Sequence, residues 1–205
     1  MAKSTAIAAA LLTTATVAGA GGYYYLQNKD PGDRPEQLAL AVPEQAYAVG
    51  YIATDPKVWS KLDRFGNPAA KQVIDRSIQQ IQKETVGDID FAKDVQPWLG
   101  NVMLASFAND KNAGKPTLLV VSKVKDKISA FNFLNKLKTK SKTPATESDY
   151  KGAKIWSVSG KDPFHVAYSD DWLVGSADRV TVEKSIDTLK GAASFSQKKD
   201  RKSVV

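Results

Sequence analysis

Residues 5–26 form a run of 22 residues without one charge. As a helix rising ~1.5 Å per residue, that run would be ~33 Å long, about the hydrocarbon thickness of a bilayer. A chain that begins this way is constrained first in where it folds. Two readings share the segment. Lys3, the apolar stretch 6–17 and the small residues Ala18, Gly19 and Ala20 follow the grammar of a secretory signal. The uncharged sequence also continues to Tyr23, Tyr24, Tyr25 and Leu26, and tyrosines just before Lys29 match an interfacial aromatic belt. Residues 1–27 therefore read as an N-terminal transmembrane anchor or as a signal sequence. Both deliver the rest of the chain outside the cytoplasm.

Residues 28–44 read as a linker, since Asp30, Pro31, Gly32, Asp33, Pro35 and Glu36 crowd its first half. Residues 45–192 are long enough for one domain with one core, and 193–205 read as a disordered basic tail. The chain has no cysteine, which excludes disulfides, iron–sulfur clusters, zinc–thiolate sites and thiol catalysis. Its net charge of +7 is unevenly placed. Residues 30–122 hold 12 acidic and 10 basic groups, whereas 123–205 hold 10 acidic and 17 basic. The plain reading of this excess is a solvated lysine face. The sharper reading makes Lys136, Lys138, Lys140 and Lys142 a contact with an anionic membrane surface, where each cation adds ~1 kcal/mol. Nucleic acid is not an expected partner, because these lysines lack interleaved arginine and aromatic readers.

Hydrophobic spacing predicts the elements. Residues 46–53 alternate as a strand and stop at Asp55-Pro56, a helix start signal. Val58, Trp59, Leu62 and Phe65 form one helical stripe, and Ala70, Val73, Ile74, Ile78 and Ile81 a second that ends at Gly87. Residues 88–99 read as a helical turn or loop. The runs 102–108 and 117–122 should pair as a hairpin across the turn-like 109–114. A lysine-bearing helix is expected over 126–140, with Ala130, Phe131, Phe133, Leu134 and Leu137 inward. Strands at 153–159, 164–169 and 172–176 should form a meander. Asp178 then caps a last helix carrying Val182, Ile186 and Leu189, closed by Gly191. The order predicts an α+β fold: a mostly antiparallel sheet with a ferredoxin-like split βαβ start, added hairpin strands and helices on one face, behind a single transmembrane helix.

Residues 90–107, DFAKDVQPWLGNVMLASF, together with the stretch 42–84, resemble the cyanobacterial Domain of Unknown Function 3352 family (DUF3352). The shared element is D-x-x-PWLG leading into a strand, here Asp94, Pro97, Trp98, Leu99 and Gly100. The resemblance spans roughly residues 40–190. It implies an anchored protein of the periplasm or thylakoid lumen and brings no catalytic residues with it. Family members resembling this chain are usually longer, so a shortened version with an uncovered strand edge is expected.

Chemistry is sparse. His165 is the only histidine, with Ser157, Ser159 and Asp162 as local partners, and no nucleophile-elbow pattern surrounds any serine. Asp88, Asp90 and Asp94 fall short of a calcium loop, because Lys93 and Leu99 occupy the positions of its glycine and glutamate. Trp59, Trp98, Trp156 and Trp172 read as core residues by default. Trp98 follows a proline in a loop and is the one expected to be partly exposed, which would make it an anchor for a partner protein. The sequence thus reads as a membrane-anchored, non-enzymatic domain outside the cytoplasm that scaffolds or assembles membrane complexes, without a cofactor. The alternatives are a lipid- or pigment-binding module and a hydrolase using His165.

Overall fold

The computed structural model describes residues 34–54, 91–108, 116–140, 145–160 and 163–197, with side chains left aside at 91–92 and 137–140. The leader, the two helices expected between 55 and 87, the turn at 109–114, Lys142 and the last eight residues lie outside the described residues. Among the described residues, no helix is long and apolar enough to cross a membrane.

Among the described residues, seven strands form one sheet: β1 (Ala48–Ile52), β2 (Leu99–Phe107), β3 (Thr117–Val124), β4 (Ala145–Tyr150), β5 (Ala153–Val158), β6 (Phe164–Ser169) and β7 (Trp172–Ser176). Their order is β1-β2-β3-β7-β6-β5-β4, and every pairing is antiparallel. Two meanders therefore lie side by side, and their last strands, β3 and β7, join at the centre through Val121 opposite Val174. The expected hairpin is β2–β3, and the expected three-strand meander is β5–β6–β7. The split βαβ start is corrected: β1 pairs directly with β2 in antiparallel register, with no strand inserted between them.

Among the described residues, three α-helices accompany the sheet: α1 (Pro35–Leu38), α2 (Lys127–Lys140) and α3 (Arg179–Leu189). They do not share a face, which is a second correction. On one face, Val182 and Ile186 of α3 pack with Met103, Ala105, Leu119, Val121, Ile155 and Val174. On the other, Ala130 of α2 packs with Val102, Leu104, Val120, Val124 and Trp98. Both β2 and β3 are consequently buried along nearly their whole length. Strands covered on both sides read as continuous apolar runs rather than alternating ones.

The expected linker and tail are also corrected where they are described. Leu38, Ala41 and Val42 are fully buried in the α3-side core, and Phe195 packs against it. Pro43 bridges Ser194, the Phe195 amide donates to the Val42 carbonyl at 2.7 Å, and Ser185 Oγ of α3 donates to the Ala41 carbonyl at 2.5 Å. Residues 34–46 and 193–197 thus clamp each other against α3. Burying several aliphatic side chains at ~1.5–3 kcal/mol each is ample reason for so short an arm to order.

The strand β4 has no counterpart in the sequence reading. Its turn to β5 is a two-residue loop in which Lys151 and Gly152 both take positive φ, 49° and 81°. That is the twist-compatible hairpin turn, with glycine at its second position at no steric cost.

Candidate interaction face

The helices α2 and α3 begin with the same device. The Asp126 carboxylate accepts from the amides of Ile128 and Ser129 (2.9 and 3.2 Å) and from Ser129 Oγ (2.7 Å). The Asp178 carboxylate accepts from the Thr181 amide at 2.9 Å and from Thr181 Oγ1 at 2.7 Å. These bonds satisfy amides at the helix start that have no partner inside the helix. The Ser129 hydroxyl, followed by its amide, holds the Asp126 carboxyl below its ordinary value. Laid together without a gap, residues 126–138 and 178–190 match as Asp, Lys/Arg, Ile/Val, Ser/Thr, Ala/Val, then Leu/Ile, Leu and Lys at the same offsets. The sequence reading missed this correspondence, although the shared D-[KR]-[IV]-[ST] start was its signal.

Trp98 is not the exposed anchor expected. It is 3% exposed. Its ring lies 5.3 Å from that of Phe133 on α2, and its Nε1 donates to the Asp94 carbonyl at 2.6 Å. The Asp94 side chain in turn receives Lys136 Nζ of α2 at 2.7 Å, and the Lys125 amide donates to the Trp98 carbonyl. The D-x-x-PWLG element is therefore a bracket: a single π-helical turn (Phe91–Val95) and Trp98 fasten α2 to its sheet face as β2 begins. A proline before a tryptophan suggested a wet loop, but the ring closes the core beneath α2.

Lys136 is thus committed within the domain rather than standing free for a membrane. Lys138 and Lys140 lie in the last turn of α2. What α2 exposes instead is apolar: Ile128 is 74% and Phe131 58% exposed, beside the exposed Lys127 and Asn132. The expected inward placement holds for Ala130, is half met by Phe133 and Leu134, and is corrected for Phe131.

On the α3 side, His165 Nδ1 lies 2.8 Å from Ser157 Oγ. Burial, and then the Arg179 guanidinium, hold the imidazole below its ordinary value against weaker opposition from Asp178 and Glu183. Both of those carboxylates are engaged, Asp178 in the α3 cap and Glu183 by Arg179 Nε at 2.8 Å. The structure brings His165 to Ser157, as one of its expected partners, but no carboxylate accepts a hydrogen bond from the ring among the described residues. Asp162 lies outside them. Ser157 is itself buried on β5.

Beyond α2, the same sheet face carries an apolar groove between the two meanders, with Val102, Val120, Phe164, Val166 and Leu173 along its walls. Phe164 lies against Gly175, where a Cβ would come within 3.1 Å of its ring. The groove's volume of about 40 Å³ suits a water or a methyl group, far below the ~300 Å³ at which small-molecule sites begin.

Compared with known families, residues 6–205 match the one described as Protein of unknown function (DUF3352). The chain belongs to that family. Neither the comparison with curated proteins nor that with solved structures returned a match. The D-x-x-PWLG bracket is therefore a structural element of a DUF3352 domain.

Proposed function

We propose that this DUF3352 protein is a membrane-anchored, non-enzymatic interaction domain outside the cytoplasm, serving as a scaffold or assembly factor for membrane protein complexes. The observation that carries the reading is the uncharged run 5–26, joined within a few residues to an arm built into the domain core. Because α1 begins at Pro35, only residues 28–34 separate leader from domain, so the domain would sit close to any bilayer that holds the leader. Membrane fractionation with an intact-mass measurement tests this. The reading expects the protein in the membrane fraction and on the non-cytoplasmic side. A full-length product soluble in the cytosol would contradict it.

The scaffold part is tested separately by pulldown from detergent-solubilised membranes, where recovery of no partner above background would count against it. The contact between Ser157 and His165 is the one observation favouring a hydrolase. Loss of a measured hydrolysis in His165→Ala would raise that reading over ours.

A further inference from the structure

We infer that the outward face of α2, centred on Ile128 and Phe131, docks on an anionic lipid surface. The inference rests on the membrane-anchored reading above and deepens it by naming the surface that meets the bilayer.

The internal comparison with α3 carries the argument. The two helices share a cap and a spacing, so α3 shows what this scaffold puts on a solvated outer face. There it places Val180, 50% exposed at the position matching Ile128, then Arg179 and Glu183, paired at 2.8 Å, and Lys184, while Asp187 is held by Tyr150 and Lys151 of the β4–β5 hairpin. At the matching positions α2 carries Lys127, Phe131, Asn132 and Asn135. Each acidic group of the α3 face is replaced by a neutral one, and the partner of the first cation is replaced by a phenyl ring. The fold does not require this, because Ala130, Phe133 and Trp98 already make the inward contact. Scattered exposed apolar residues are ordinary, but here a phenylalanine stands where the sister helix has a glutamate.

Charge points to the kind of surface. Between residues 123 and 142 there are seven lysines and one acidic residue, Asp126, whose carboxylate is spent on the helix cap. Lys123 and Lys136 are paired with Asp171 and Asp94, whereas Lys127 adjoins Ile128 and Lys138 and Lys140 lie in the last turn of α2. An aliphatic and an aromatic side chain flanked by lysines is the pattern of a helix lying in the headgroup region of anionic lipid. An apolar protein groove would take Ile128 and Phe131 but gives no reason for the lysine excess. Reach allows it: residues 28–34 extend at most ~25 Å, and layers packed ~10 Å apart put the arm and α2 about 20 Å from each other.

The absence of cysteine makes the test direct, since Ile128→Cys and Phe131→Cys each supply a single labelling site in the full chain. A polarity-sensitive fluorophore at either position is read in proteoliposomes of equimolar phosphatidylglycerol and phosphatidylcholine, and in phosphatidylcholine alone. Val180→Cys is the control, being 50% exposed on α3 across the sheet. The expected result is quenching by a lipid-phase quencher at 128 and 131 but not at 180, only with phosphatidylglycerol, and reversed by high salt. Adding Lys127→Gln to a labelled variant should lower the docked population about fivefold. Labels that stay equally water-accessible at all three positions would overturn the inference. So would equal protection in neutral vesicles, or protection that appears only when a membrane protein extract is added. Flotation of the same vesicles separates the two claims: chain that floats with wet labels defeats the docking face alone, whereas chain that does not float defeats the anchor.

Discussion

The helices α2 and α3 start from one cap and diverge into different surfaces. The α3 helix is closed inward by Val182 and Ile186 at 0% and 1% exposure, and its outer charges balance. The α2 helix is fastened by Ala130 and by the Trp98–Phe133 contact, and its outer face is apolar and basic. The difference teaches that inward and outward residues of these helices answer to separate demands. Inward ones hold the sheet. Outward ones on α2 are not needed for folding.

That separation can be broken most forcefully from inside. Trp98→Ala removes a buried indole that brackets α2 and should cost about 4 kcal/mol in chemical denaturation. Ile186→Ala on the α3 side should cost about 3 kcal/mol by the same measurement. If either loss stayed below about 1 kcal/mol, that helix would not be fastened as described. The caps sharpen the comparison from the other direction. Asp178→Ala should cost about 1 kcal/mol, and Asp126→Ala should lower the denaturation midpoint in the same direction, because the two devices are alike. A loss confined to one helix would deny their equivalence.

His165 gives a smaller effect with a definite sign. Its folded pKa lies below its ordinary value of 6.5, so the unfolded chain binds the extra proton first. Stability is then complete above about pH 6.5 and falls as the solution is acidified through the imidazole range toward the folded value. Thermal unfolding between pH 7.5 and 5.5 should show this slope, as a fraction of the ~1.4 kcal/mol per pH unit that one proton allows. His165→Gln should flatten it. A slope unchanged in that variant would assign the effect elsewhere.

Much of this architecture was legible in the chain. The runs in β2 and β3, the meander β5–β7 and the Asp178 cap all carry period and punctuation that survive folding. The strand β4 was not legible, because an edge strand reading ATESDY keeps Glu147 and Asp149 on an open face, where Lys154 and Trp156 meet them. Coverage of both sheet faces was written in the unbroken apolar runs of β2 and β3, yet a run of that length fits one-sided packing as well. The arm at 38–42 and Phe195 were illegible for a different reason. They are too short for any period, and only their meeting across about 150 residues makes them core.

The site was harder. Trp98 and Lys136 belonged to the domain's own bracket, whereas Phe131, assigned inward by its spacing, faces out. The stripe itself keeps its phase, with Ala130, Phe133 and Leu134 inward at 3-and-4 spacing, and Phe131, one position on from Ala130, falls outside it. Only the internal match to α3 marks its outer positions as unusual.

The most direct test exchanges those outer positions. A chain carrying Phe131→Glu, Asn132→Lys and Asn135→Asp gives α2 the outer face of α3. The account predicts stability within about 0.5 kcal/mol of the parent, as for surface substitutions generally, together with loss of lipid quenching from a label at position 128. A stability loss of several kcal/mol, or quenching that persists, would contradict it.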